Sequence, residues 1–256
     1  MRILGVFITG ASSVVDLNSF AIVLVIFLAI FTQSLTGFGT GLVSMALLPV
    51  FVGIRASAPL VALTAGTLEL LLVIRYRDTL NVQSVWRLLS GAIIGIPLGI
   101  VLLRNLDERI GLTLLGIVLV AYPLYALFSP QVPKLEGRPW PYVFGFVAGL
   151  LGGAYNTSGP PVIIYGNSRR WAPAEFKANL QGFFLLNDAL VITSHALSGN
   201  LTFLVWQNYL LTLPAIALGM FAGLALSRSI NPATFRKIVL LLLIVLGLRM
   251  IASVLI

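Results

Sequence analysis

Leu151-Gly152-Gly153-Ala154-Tyr155-Asn156-Thr157-Ser158-Gly159-Pro160-Pro161 lies deep inside a hydrophobic segment, yet its residues break helices. Glycine lowers the cost of leaving a helix, and two successive prolines cannot continue one. A second such stretch, Gln33-Ser34-Leu35-Thr36-Gly37-Phe38-Gly39-Thr40-Gly41, precedes it, with Gly41 and Gly159 separated by 118 positions. Interruptions of this kind free backbone N–H and C=O groups. Hydrocarbon offers such groups no partner, so the chain must bury them in protein or place them along a cavity.

That argument presumes a membrane, which composition supplies. The 256 residues are 59% hydrophobic and 9% charged, with a mean hydropathy of +1.03, which reads as an all-α polytopic membrane protein. The formal charge of +8 is scattered through short loops, with no basic stripe and no interleaved aromatics. It fits positive-inside topology and gives no sign of nucleic-acid binding. With no cysteine and one histidine, the chain lacks a thiolate nucleophile, the usual zinc constellations and a triad for His195, so no enzymatic activity and no cofactor is expected.

Read in order, residues 1–19 form an N-terminal interfacial segment. Residues 20–128 make a first transmembrane repeat, 129–141 a polar linker and 142–256 a second repeat. The apolar run 20–52 would be about 50 Å long as one helix, against a hydrocarbon core of about 30 Å. Broken at Thr36 to Gly41, it becomes two half-helices, and three spanning helices follow at 57–74, 86–103 and 110–128. The second half repeats the plan with a broken segment at 142–168 and helices near 178–197, 201–226 and 235–255. Glu69-Leu70 falls on Asn187-Asp188 at the same 118-residue offset, and two inserted residues later Trp86 meets Trp206.

Charge orients the halves. If each broken segment is a re-entrant hairpin, each half crosses three times and the two repeats are inverted. Arg75, Arg77, Arg87, Lys134, Arg138, Arg169, Arg170, Lys177, Arg228, Arg236 and Lys237 then lie inside, against Arg2, Arg55, Arg104, Arg109 and Arg249 outside. Broken segments that each cross once would leave the positives nearly balanced, so the positive-inside rule favours the inverted arrangement.

A small anion held at mid-bilayer needs donors and positive potential. Two helix N-termini supply both, each with unpaired N–H groups and about half a positive charge. The candidate substrate-binding residues are therefore Gln33, Thr36, Gly37, Gly39, Thr40 and Gly41 in one half. In the other they are Asn156, Thr157, Ser158 and Gly159, with Gln181 two turns from Asp188. Glu69 and Asp188, on corresponding helices, are proton-coupling candidates, because intramembrane carboxyls are functional candidates by default.

The motifs Thr36-Gly37-Phe38-Gly39-Thr40-Gly41 and Gly152-Gly153 with Asn156-Thr157-Ser158-Gly159-Pro160-Pro161 resemble those of the TauE/SafE sulfite-exporter family, over nearly the whole chain from about residue 20. The first departs from the Gly-x-Gly-Gly-Gly pattern associated with that family at Phe38 and Thr40. The resemblance implies a secondary transporter, an exporter of sulfite, an organosulfonate or a similar small anion, in a bacterial inner membrane. Proton coupling, alternating access and a homodimer are compatible with it. A passive anion channel and an uptake transporter for short carboxylates use the same helix-dipole chemistry and stand as alternatives.

Overall fold

Pro49, Trp140-Pro141, Gly159-Pro160, Pro173 and Pro232 each open a helix, where the missing N–H costs nothing. In a computed structural model that describes residues 17–128, 133–227 and 229–255, these punctuation points divide the chain into α-helices with no strand among the described residues. The expected interfacial segment 1–19 lies almost wholly outside the described residues.

The first broken segment is α1 (Leu17–Thr36) and α2 (Thr40–Leu47), and it leads into α3 (Pro49–Tyr76). A short 3-10 turn, Arg77–Thr79, connects α3 to α4 (Val82–Asn105), which is followed by α5 (Glu108–Phe128). The second broken segment is α6 (Trp140–Tyr155) and α7 (Gly159–Ser168). Then come α8 (Pro173–Leu197), α9 (Phe203–Leu226) and α10 (Pro232–Leu255).

Among the described residues, six helices are long and apolar enough to cross a membrane: α1, α3, α4, α5, α9 and α10. The pairs expected as half-helices have unequal arms. Helix α1 has 20 residues and α2 only 8, so α1 alone has a length of about 30 Å at ~1.5 Å per residue. Helix α3 is interrupted at Gly53 (φ 73°, ψ 160°), so its regular part starts at Ile54. Arg55 therefore lies within the helix rather than ahead of it, and its guanidinium donates to the carbonyls of Arg104 (3.3 Å) and Leu106 (3.4 Å). A cation there meets the negative end of α4.

Helix α8 has 25 residues but carries Asn179, Gln181, Asn187, Asp188 and His195, all buried. It packs on α3, α4 and, less extensively, α6 and α7, so the other helices shield its polar face. Helix α1 packs on α9, α6 on α4, and α5 on α10. The turn after α3 is tied to the start of α8: the Asn81 backbone N–H donates to Asn179 Oδ1 (2.8 Å) and Thr79 Oγ1 to the Ala174 carbonyl (3.2 Å). At the end of α7, Arg169 Nη1 donates to the Leu135 carbonyl (2.9 Å), ahead of α6.

The α4–α6 seam is the tightest. Gly91, Gly95 and Gly99 on one side face Gly145, Gly149 and Gly153 on the other, all at intervals of four residues. A Cβ at any of them would overlap a backbone carbonyl of the opposing helix. Small residues at this spacing let two backbones touch, which is the association device that remains when lipid removes the hydrophobic drive between helices.

The same contact gives a test. Gly95→Ala pushes a methyl into the Phe146 carbonyl, and is expected to cost about 1–3 kcal/mol as overpacking, seen as a lower melting temperature in detergent. Gly111→Ala, whose Cβ would sit 3.7 Å from Ile54 Cδ1, is expected to leave the melting temperature nearly unchanged.

Candidate functional site

Where α1 stops, the Gly37 N–H still bonds the Gln33 carbonyl (2.7 Å), and the backbone then turns through Gly37 (φ 92°) and Gly39 (φ 122°). Both values favour glycine over any residue with a Cβ. Local hydroxyls tie up this turn: Thr36 Oγ1 bonds the carbonyls of Thr32 (2.8 Å) and Phe38 (2.8 Å). Helix α2 then begins at Thr40. Its N–H donates to Gln33 Oε1 (3.0 Å), while Gln33 Nε2 donates to Glu69 Oε1 (3.1 Å). One buried amide thus caps a helix and orients a carboxyl. From α8, Gln181 Nε2 satisfies the Gly37 carbonyl (2.8 Å).

The second break is built differently. Helix α6 ends in a left-handed residue, Asn156 (φ 50°), whose N–H bonds the Gly152 carbonyl (2.8 Å), and the Thr157 N–H reaches the Leu151 carbonyl (3.3 Å). Asparagine tolerates this conformation better than other residues with a side chain, so it closes the helix much as glycine would. After Thr157 and Ser158, α7 starts at Gly159. Pro160 and Pro161 follow, so two of the first-turn donors that a helix N-terminus ordinarily offers are missing here. The donors expected at this end reduce to backbone N–H groups ahead of the prolines and the side chains of Asn156, Thr157 and Ser158.

The two breaks meet. Gly41 lies so close to the Asn156 carbonyl that a Cβ at Gly41 would overlap it. Between them is a cavity of about 30 Å³, with room for one or two waters. It is lined by Gln33, Phe38, Gly39, Gly41 and Leu42 from the first break, and by Asn156, Thr157, Ser158 and Gly159 from the second. Helix α3 contributes Ala65 and Glu69, and α8 contributes Phe184 and Asp188. The wall therefore carries no lysine or arginine and has two carboxyls.

Glu69 and Asp188 are each 3% exposed and close enough to interact electrostatically. Each has one oxygen held by an amide: Gln33 serves Glu69, and Asn187 Nδ2 serves Asp188 Oδ1 (3.3 Å). The other oxygens, Glu69 Oε2 and Asp188 Oδ2, are buried without a hydrogen-bond partner among the described residues, as is Asn156 Oδ1. Unpaired acceptors away from water are costly, so this cluster is one that a proton or a donor-bearing ligand would relieve.

Of the residues singled out from sequence, Gln33, Gly39, Gly41, Asn156, Thr157, Ser158, Gly159, Glu69 and Asp188 share this wall, while Thr36, Gly37, Thr40 and Gln181 stand behind it. The Thr36 hydroxyl is spent on backbone, and that of Thr40, 3.5 Å from the Ala29 carbonyl, faces α1. Phe38, Leu42, Ala65 and Phe184 were not anticipated. Spacing could have found two of them, because Ala65 and Phe184 lie one helical turn before Glu69 and Asp188 on the same faces. His195 is buried away from the cavity wall, with Nδ1 bonded to Asn200 Nδ2 (3.0 Å). Arg169 anchors the linker at Leu135.

The sulfite exporter TauE/SafE family profile matches residues 22–250 of this chain. Over 229 residues the chain is 27% identical to the probable sulfite/organosulfonate exporter TauE of Cupriavidus necator, covering 84% of this chain and 86% of that protein. Over 178 residues it is 28% identical to the probable inner membrane transporter protein TsaS of Comamonas testosteroni, covering 67% of this chain and 74% of that one. No solved structure matches it. With a family match across the whole helical body and six helices apolar enough to span, the chain belongs to the TauE/SafE sulfite exporter family and is a multi-pass transport protein of the cell membrane.

Proposed function

We propose that this protein is a secondary transporter of the bacterial inner membrane that exports a small sulfur-containing anion, sulfite or an organosulfonate. The central observation is the cavity where the N-termini of α2 and α7 converge among amides and hydroxyls. Helix dipoles and N–H groups hold an anion there without a fixed cation that would resist its release. The names of the two relatives support sulfur anions as the substrate class.

Glu69 and Asp188 share that cavity, and a carboxylate beside an anion in low dielectric repels it. Anion binding and carboxyl protonation therefore favour each other, and we assign the pair the role of carrying protons with the anion. Access alternates between the two sides by movement of two inverted repeats, each a re-entrant hairpin with three spanning helices. Several observations support that symmetry. Helix α1 packs on α9 while its counterpart α6 packs on α4, and α3 pairs with α8 and α5 with α10. The Arg169 to Leu135 bond joins the far end of α7 to the segment before α6, as a hairpin returning to its own side requires.

Three outcomes are expected. In calorimetric titration of the purified protein, sulfite affinity rises as pH falls, by up to about tenfold per pH unit for each proton taken up with the anion. The dependence flattens in Glu69→Gln and Asp188→Asn, and a flat wild-type profile would remove the coupling. Replacing Asn156 and Ser158 together by alanine weakens sulfite binding by about 1–3 kcal/mol per lost bond to the charged ligand, with the melting temperature without ligand lowered only slightly. For topology, alkaline phosphatase fused after Gly199 is active and after Glu136 inactive; the reverse pattern, or activity at both, would overturn the inverted arrangement.

A further inference from the structure

Arg236, in the second turn of α10, takes no part in the cavity wall, yet it packs on Phe38, which does. Its guanidinium carbon lies 5.0 Å from the Phe38 ring centroid. Phe38 meets the ring of Tyr122 edge-on at 6.2 Å, and the Tyr122 hydroxyl is near enough to interact with Arg236. Arg236 Nε and the Tyr122 hydroxyl are both buried with no hydrogen-bond partner among the described residues. An arginine whose Nε–H no other described residue takes, beside a phenol that faces it, offers donors of the kind that receive an anion.

A second, smaller space of about 10 Å³ lies here, lined by Arg236 with Thr36, Val239 and Leu243 among others. Its wall includes Phe38, Gly39 and Leu42, all three of which also line the central cavity. Phe38, Gly39 and Leu42 thus form the partition between two chambers, with the Phe38 ring its aromatic part. Gly37 and Gly39 flank Phe38, both at positive φ, a conformation glycine adopts readily, so the Phe38 side chain stands between two residues without a Cβ to crowd it. Arg236 lies on the side of the ring toward the start of α10, where α1 also reaches, with Phe31 edge-on to Phe235 at 5.6 Å.

We propose that Arg236 and Tyr122 form a second oxyanion site, and that Phe38 is the gate between it and the central cavity. The ligand is a small oxyanion such as sulfite or a sulfonate headgroup, received by the Arg236 Nε–H and the Tyr122 O–H. With the gate closed, the Phe38 ring face takes the place of the anion beside the guanidinium through a cation–π contact. When Phe38 swings aside the two chambers join, and the anion passes to the helix ends. This assignment rests on the reading of the central cavity as the transport site.

The chain has no cysteine, so the introduced thiol in Ser158→Cys reports access to the central cavity alone. Sealed membrane vesicles of both orientations are treated with an anionic sulfonatoethyl methanethiosulfonate or its cationic trimethylammonium counterpart. From the Arg236 face, adding Arg236→Gln is expected to slow the anionic reagent about tenfold through loss of local anion concentration, and to leave the cationic one unslowed. Arg236→Lys keeps most of the rate. Phe38→Ala speeds both reagents from that face and neither from the other. Equal effects of Arg236→Gln on both reagents, or no effect, would overturn the site, and unchanged labelling in Phe38→Ala would overturn the gate. In either case, sulfite binding that still responds to Asn156 and Ser158 would leave the central reading standing. A thiol labelled from neither face, even with Phe38→Ala, would refute both.

Discussion

Unpaired peptide groups at two helix interruptions, enclosed where lipid cannot serve them, set the terms for everything around them. The protein answers with side-chain amides. Gln33 takes the Thr40 N–H, Gln181 takes the Gly37 carbonyl, and Asn156 bends into a left-handed cap. These are the least apolar choices available in segments that must otherwise face hydrocarbon, and they explain why α8, the most polar of the long helices, is the one the others enclose. Each amide that steadies the backbone also positions chemistry. Gln33 holds Glu69 with its other end, and Asn187 holds Asp188 beside the second break.

Legibility from sequence followed from which groups leave a chemical mark. Glycine and proline inside an apolar run cannot be mistaken, so the two breaks and the long helices were predictable from their residues. Arm length was less so: the break expected at Thr36 to Gly41 is where α1 ends, but the length of the apolar run that implied two half-helices says nothing of the 20 residues of α1 against the 8 of α2. The role of Gly53 was hidden too, since one glycine near Pro49 gives no hint that regular α3 waits until Ile54. At the site, the polar residues announced themselves, but which of them face inward depended on rotations of a few tens of degrees. Thr36 and Thr40 turn to backbone carbonyls, as threonine hydroxyls in helices commonly do. Apolar wall residues such as Leu42 and Phe184 carry no mark at all, because in a membrane protein leucine and phenylalanine are the background.

The cavity combines opposite demands. Helix N-termini favour negative charge, whereas Glu69 and Asp188 oppose it unless they are neutral. Neither feature alone gives controlled passage: dipoles without acids would hold any anion at any pH, and acids without dipoles would exclude them. In the proposed transport cycle the two together would make the site's affinity conditional on proton supply, and the wall carries no lysine or arginine to fix the balance permanently. The Pro160-Pro161 pair limits the donors at the second helix end, so in the proposed reading discrimination would fall to Asn156, Thr157 and Ser158, which line the cavity.

The glycine seam between α4 and α6 has a mechanical meaning. Two helices in contact through bare backbone have no rotamers to exchange, so their interface offers no alternative arrangement of similar energy. Between α1 and α9 the approach is looser: a Cβ at Gly219 or Gly223 would meet the Phe27 and Phe31 carbonyls at 2.9 and 2.7 Å, and the Ile30 and Ser34 side chains share those contacts, so part of that interface can repack. Under the proposed alternation of access, movement of one part of the molecule past the other would be channelled into the contacts that own conformational alternatives, with the close-packed pair moving as a single lever that carries Asn156 at its tip.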